Sequence, residues 1–397
     1  MRRRSLLALG GAAGAAAFVG GSRTAAWGAQ SGTAAKLAAQ STSADGYDPT
    51  SLRALAAQIG LRFGSALIPQ DIETPSYAAI ASSQFSVVTP GNGMKWQIVE
   101  PEPGVYDWSQ ADQLVAFAHA NNQLIRGHTL LWHNQLPDWL TTGVGNGSIT
   151  TSQLWDLLEQ HIFIEVGRYR GQIWQWDVAN EFFLDADPSG IDPANFWIAA
   201  LGPTVIPQAY IWAHQADPGA ILVYNDYNIA GEDGTNAKSD AVYAWLQQML
   251  DLDIPINAVG NQGHLDTQYG WNPQLFQQDL ERYVSLGLKT AITEADVRTF
   301  VNNATDQVPT DNLALFAQPY EYSAMLKAAL QVQQLISFTV WGFTDSDSWV
   351  PGTFAGEGYA DIYDVNQQPK QAYYDLQNDL ELAAFGAPHR TGIGARF

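Results

Sequence analysis

Two glutamates are distinguished by where they fall: Glu181 closes the segment WDVANE and Glu294 lies in AITEAD, each at the end of a short apolar run. Two carboxyls set across a cleft can break a glycosidic bond. One gives its proton to the leaving oxygen, and the other attacks the anomeric carbon or activates water. Surface or ion-paired glutamates would satisfy the same pattern, so the pair needs support from its surroundings. Other polar residues also follow apolar runs: Asn92, Lys95, His128, Asn180, Asn225 and His264, with Trp341 after the last run. Trp132, Trp341 and Trp349 could stack on sugar rings, although packing in a core is the commoner fate of Trp. Trp174 and Trp176 alternate along one run and read as core.

The runs themselves are Leu61 to Leu67, Phe85 to Val88, Leu124 to Thr129, Ile173 to Val178, Ile221 to Tyr224, Ile256 to Gln262, Thr290 to Thr293 and Ile336 to Val340. Continuous apolar runs of this length read as strands buried on both faces. Amphipathic helices lie between them. One opens at Ser109, where Asp112 three residues on resembles a capping box. Another carries Leu154, Leu157, Leu158 and Ile162 and ends near Arg168, where cations suit the negative end of the helix dipole. Strands alternating with helices predict a single (β/α)8 barrel, which gathers the residues after the strands on one rim.

Composition agrees with a large enclosed core. Of the 397 residues, 46% are hydrophobic and only 15% charged, against a norm of about 25% charged. The formal net charge of -21 would repel nucleic acid and anionic membrane surfaces, so neither is expected as a partner. There is no cysteine, which removes thiol nucleophiles, disulfides and thiolate metal sites. His128 and His133 do not have the spacing of a helical metal pair, and neither a metal nor a cofactor is expected.

Arg2, Arg3 and Arg4, a Leu/Ala/Gly run and the small residues near Ala29 have the layout of an export signal over 1–29, with paired arginines that point to the twin-arginine route. A flexible lead-in is expected over 30–48, one catalytic domain over 49–385 and a C-terminal tail over 386–397. The expected product is a secreted monomer with no membrane association once the signal is removed.

The segments FGSAL, GNGMKW, GHTLLWHNQLPDW, WDVANE, YNDYN, ITEADVR and WGFTDSDSWVP occur in this order from about Leu52 to Leu380. In content and spacing they resemble glycoside hydrolase family 10, the retaining endo-β-1,4-xylanases with a (β/α)8 barrel. The resemblance implies Glu181 as general acid/base and Glu294 as nucleophile. It implies that His264 bonds Glu294 and is oriented by Asp296, and that Asn180 meets the 2-hydroxyl of the sugar being cleaved. Asn92, Lys95, His128, Trp132, Gln135 and Gln262 would serve the glycone side, Trp341 and Trp349 would wall the sugar, and Asn225 and Tyr227 would serve the aglycone side. One departure stands out. The resemblance leads to a glutamate before Asn92, where this chain has Gly91, which implies weaker hold on a distal glycone sugar.

The resulting expectation is cleavage of internal β-1,4-xylosidic bonds, with xylan and xylooligosaccharides as partners. A barrel glucanase or mannanase is the alternative enzyme, and a non-catalytic carbohydrate binder the alternative to an enzyme.

Overall fold

The computed structural model describes residues 46–185, 187 and 190–386. The export signal, most of the lead-in and nearly all of the tail lie outside the described residues. Strands β1 (Arg62–Leu67), β2 (Val87–Pro90), β3 (Leu124–Leu131), β4 (Gln175–Asn180), β5 (Ile221–Asp226), β6 (Ala258–Asn261), β8 (Lys289–Phe300) and β9 (Leu335–Val340) form a closed parallel barrel. Closure is direct: β9 pairs with β1, with Val340 beside Ser65. Two short strands lie outside the ring, β7 (His264–Asp266) alongside the far half of β8 and β10 (Glu357–Gly358) antiparallel to its end. This is the predicted (β/α)8 architecture, because a parallel sheet needs a helical crossover between successive strands and the right-handed crossover places every helix outside the ring.

The strands form where the sequence is rich in apolar and β-branched residues, with single polar residues interspersed. β4 (QWDVAN) and β9 (LISFTV) are buried along their whole length. Trp176 is fully buried, and the backbone of β3 approaches it closely: a Cβ on Gly127 would lie 2.2 Å from the indole. Only glycine fits there, and truncating Trp176 to Ala would leave a cavity costing about 3–5 kcal/mol.

Outside the ring, the helices Ser109–Ala120 and Thr151–Arg168 bury Leu114 and Val115, and Leu154, Leu158 and Ile162. The second ends at Arg168, whose guanidinium pairs with Asp112 of the first at 2.5 Å. Partial exposure limits such a pair to about 0–1 kcal/mol.

Three local expectations are corrected. The helix at Ser109 has no capping box: Trp108 is its N-cap and makes no side-chain cap bond, because Ser109 is already inside the helix with its N–H on Asp107 Oδ1. The reciprocal box is instead at Thr150 and Gln153. Trp174 precedes β4 and is only partly buried, so it is not a core partner of Trp176. β8 is twelve residues long, far beyond the four expected, because its outer half pairs with β7 and β10. Glu294 therefore lies within β8 rather than after a strand, and His128, Asn180, Asn225 and His264 likewise fall inside β3, β4, β5 and β7.

No helix among the described residues is long and apolar enough to cross a membrane.

Candidate active site

The carboxyl ends of the strands surround a cavity of about 670 Å³ that both glutamates line. Glu181 directly follows β4, and its N–H donates to the Asn225 carbonyl of β5 at 3.0 Å. Its φ of 59° puts it in the left-handed region, a conformation that costs a non-glycine residue about 1–3 kcal/mol. The side chain is held at both oxygens, Oε1 by Gln262 Nε2 at 2.9 Å and Oε2 by the Trp132 indole at 2.7 Å.

Glu294 has a different environment. Its N–H donates to the Gln262 carbonyl at 2.9 Å and its Oε1 accepts from Asn225 Nδ2 at 2.8 Å. The Arg126 guanidinium is 4.0 Å from Oε1, and His264 Nε2 is 3.5 Å from Oε2. On its other side His264 Nδ1 meets Asp296 Oδ1 at 2.9 Å, and the second Asp296 oxygen accepts from the Trp349 indole at 2.8 Å.

These surroundings shift the two acids in opposite directions. Burial raises the Glu181 carboxyl above its ordinary range and the charge of Glu294 raises it further, against the bonds from Gln262 and Trp132. Burial acts upward on Glu294 too, but the His264 contact and the His264 and Arg126 charges outweigh it and hold the carboxyl low. His264 can supply that charge. Burial lowers its pKa, yet Asp296 and Glu294 raise it to about 10, so the ring is a cation at neutral pH. Glu181 thus keeps its proton to higher pH than Glu294 does.

Along one side of the cavity Lys95 Nζ donates to Gln135 Oε1 at 2.6 Å and to Asn92 Oδ1 at 3.0 Å, and lies 4.8 Å from the Trp132 ring centroid. Burial lowers its pKa to about 8, against the pull of Glu294 and Glu181. Trp341 and Trp349 also line the cavity, the former edge-on to His128 with centroids 5.1 Å apart. On the other side Tyr227 lines it beneath Lys238 Nζ, 3.6 Å from the ring centroid.

The structure thus gathers the sequence-predicted residues, but three of them do not line the cavity. Asn180, Asn225 and Asp296 are buried behind it, where Asn225 Nδ2 bridges Asn180 Oδ1 at 2.7 Å to Glu294. Asn225 is therefore a support for Glu294 rather than a contact on the aglycone side. Burial follows from its position inside β5, where Thr293 Oγ1 donates to its Oδ1 at 2.7 Å.

Several residues escaped the sequence reading. Arg126 and Asp177 form a buried ion pair beneath Glu294, and His128 Nδ1 lies 2.8 Å from Asp177 Oδ2. Removing one partner of such a pair costs about 3–5 kcal/mol. Their mid-strand places read as core. His128, Asp177 and Glu294 have ligand atoms within 4.8 Å of one another, a donor set that would suit a cation, and the Arg126 guanidinium already supplies positive charge between the two carboxylates. Asp71, Tyr77, Arg298 and Asp347 also line the cavity. Asp347 and Arg298 lie inside segments already singled out, WGFTDSDSWVP and ITEADVR, whereas nothing marked Asp71 after the apolar end of β1.

A (β/α)8 barrel with two glutamates of opposite pKa displacement between tryptophan walls places the chain among the barrel glycoside hydrolases. The chain belongs to glycosyl hydrolase family 10, whose model matches residues 51–379. It is 37% identical over 339 residues to endo-1,4-beta-xylanase B of Thermotoga neapolitana, covering 85% of this chain and 93% of that one. An endo-1,4-beta-xylanase of Agaricus bisporus is 35% identical, with 82% and 93% covered. Among solved structures, xylanase 10B of Thermotoga petrophila in complex with xylobiose superposes with a TM-score of 0.78 at 36% identity, covering 84% of this chain and 98% of that chain.

Proposed function

We propose that the chain is an endo-acting, retaining enzyme that cleaves internal β-1,4-xylosidic bonds of xylan. The observation that carries this reading is the pair of carboxyls lining one cavity in unlike settings, Glu181 between Gln262 and Trp132 and shifted toward its protonated form, Glu294 beside His264 and Arg126 and shifted toward its ionised form. The substrate follows from relatives that are endo-1,4-beta-xylanases and from a neighbour structure that contains xylobiose.

In the first step the Glu294 carboxylate attacks the anomeric carbon and forms an ester bond. The glycosidic C–O bond breaks, and the Glu181 proton passes to the leaving oxygen. Esterification removes the negative charge that helped to keep Glu181 protonated, so Glu181 emerges as a base. In the second step it takes a proton from water as the water oxygen attacks the anomeric carbon and releases Glu294. The two acids titrate as a coupled pair. Asn180 lies just behind the cavity wall, but its Nδ2 has no hydrogen-bond partner among the described residues, and we assign it to the 2-hydroxyl of a seated sugar, where a bond strengthens as the ring approaches an oxocarbenium ion. Asn92, Lys95, His128, Trp132, Gln135 and Gln262 serve the glycone side, Trp341 and Trp349 wall the sugar, and Tyr227 serves the aglycone side.

Export through an N-terminal twin-arginine signal is part of the same reading and rests on the sequence of the first 29 residues. Reducing-sugar release from xylan, soluble cellulose and mannan tests the assignment. Release from xylan that disappears in Glu181→Gln and Glu294→Gln proteins supports it. Faster release from cellulose or mannan rejects the substrate, and undiminished release by either variant rejects the roles.

A further inference from the structure

Trp132 brings its indole to Glu181, and something must hold Trp132. It lies just past β3, with its main-chain carbonyl turned away from the cavity toward the short helix Phe196–Leu201. There Trp197, fully buried and not part of the cavity wall, donates from Nε1 to the Trp132 carbonyl oxygen at 2.8 Å. Two hydrogen bonds in series thus run from Trp197 to Trp132 and from Trp132 Nε1 to Glu181 Oε2 at 2.7 Å.

Trp197 is itself tightly fixed. Its N–H is capped by Asn195 Oδ1 at 3.0 Å, and Phe196 packs edge-on against its ring, with centroids 5.0 Å apart. Its other face stacks on Trp96, with centroids 5.6 Å apart and planes 15° apart. Trp96 in turn lies flat on His161 at 3.8 Å, and is the neighbour of Lys95 in the chain. The segment leading to it is tied back to the acid, since the Asp192 N–H donates to the Phe182 carbonyl, one residue past Glu181, at 2.8 Å.

We propose that Trp197 is a positioning residue for proton transfer: by holding the Trp132 carbonyl it fixes the indole N–H that orients the Glu181 carboxyl toward the leaving oxygen. The proposal rests on the reading of Glu181 as the general acid. A misplaced acid slows bond cleavage most for leaving groups that need a proton and least for those that leave as stable anions.

The test is Trp197→Phe, which keeps a stacking ring and removes the N–H. Values of kcat/KM are measured with 4-nitrophenyl and 2,4-dinitrophenyl β-xylobiosides on one preparation, so any unfolded fraction cancels in their ratio. The 4-nitrophenyl value is expected to fall about tenfold while the dinitrophenyl value stays within about twofold, a partial loss of the 10²–10⁴ that acid catalysis supplies. The alkaline limb of the 4-nitrophenyl profile should also move up, because the Trp132 bond favours the ionised Glu181. Equal losses on both substrates, or no loss, would overturn the proposal. Glu181→Ala in parallel separates the two claims. A selective loss there without one in Trp197→Phe rejects the role of Trp197 alone, and no selective loss in Glu181→Ala removes both.

Discussion

Gln262 donates from Nε2 to Glu181 Oε1 at 2.9 Å, and its own main-chain carbonyl accepts the N–H of Glu294 at 2.9 Å. One residue at the end of β6 therefore sets the height of both carboxyls on the rim. The side-chain bond favours the ionised form of Glu181, so it limits how far burial and Glu294 raise that acid.

Gln262→Ala should leave Glu181 less well oriented and protonated to higher pH. We expect kcat/KM on xylooligosaccharides to fall about 10- to 100-fold, with the alkaline limb of its pH profile displaced upward. An unchanged limb would mean that Gln262 only packs.

Asp296→Asn addresses the other acid. Without that partner His264 loses its main stabilising charge and neutralises nearer neutral pH, so Glu294 binds its proton more strongly. Because an attacking carboxylate must be ionised, the acidic limb of kcat/KM should move to higher pH. Profiles of the variant and the parent that share an acidic limb would contradict this.

Gly91→Glu tests the departure in the second strand-end segment. A Cβ at position 91 would meet Ile68 Cγ2 and the Leu67 carbonyl at 3.5 Å, ordinary contacts, so the fold should accept it. A charged hydrogen bond to a distal sugar is worth about 1.5–3 kcal/mol, which is a gain of about 10- to 100-fold in kcat/KM for xylotriose. An aryl β-xyloside, which cannot reach that position, should be unaffected. Unchanged kinetics on xylotriose would reject a glycone role for the position.

Stability should shift toward mild acid. Burial raises Asp71 to about 7, with help from the charge of Asp347, and raises Glu321 to about 7, with help from Asp266. Burial also raises Asp177 to about 6 in spite of Arg126. A carboxyl with a folded pKa above its unfolded value stabilises the fold fully below the unfolded value, near 4, and that contribution is lost as pH rises through the folded value. His264, raised to about 10, acts in the same sense: its contribution is complete below its unfolded value near 6.5 and fades toward 10. His161 opposes them, since burial lowers it to about 3 and its neutral form costs stability as pH falls below about 6.5. Burial also lowers His128 and His133, which oppose in the same sense, but the three carboxyls and His264 act over more of the range, so Tm should be higher at about pH 5.5 than at about pH 8. A Tm that falls steadily between those values on acidification would show that the buried neutral histidines dominate.

The barrel was legible because buried parallel strands leave continuous apolar runs, and the two glutamates were legible because each closes one. Strand extent was not. The outer half of β8, ADVRTF, carries charges that do not look like a strand, and it becomes one only because β7 and β10 pair with it. Burial of polar residues was also hidden. Nothing local distinguishes Asn225, buried between two strands, from Asn92, which lines the cavity, because the difference depends on which neighbours supply hydrogen bonds. Arg126 and Asp177 were not singled out, because mid-strand places read as core, and their role emerges only from their pairing under Glu294. Trp197 carried no signal, since one more tryptophan in a chain with 14 looks like core.

The anomeric form of the first product bears most directly on the central claim, that Glu294 bonds to the sugar before water does. Proton NMR of xylooligosaccharide hydrolysis, recorded before mutarotation, should show new reducing ends in the β configuration. New ends appearing first as α-anomers would mean a single displacement by water, and would contradict the account.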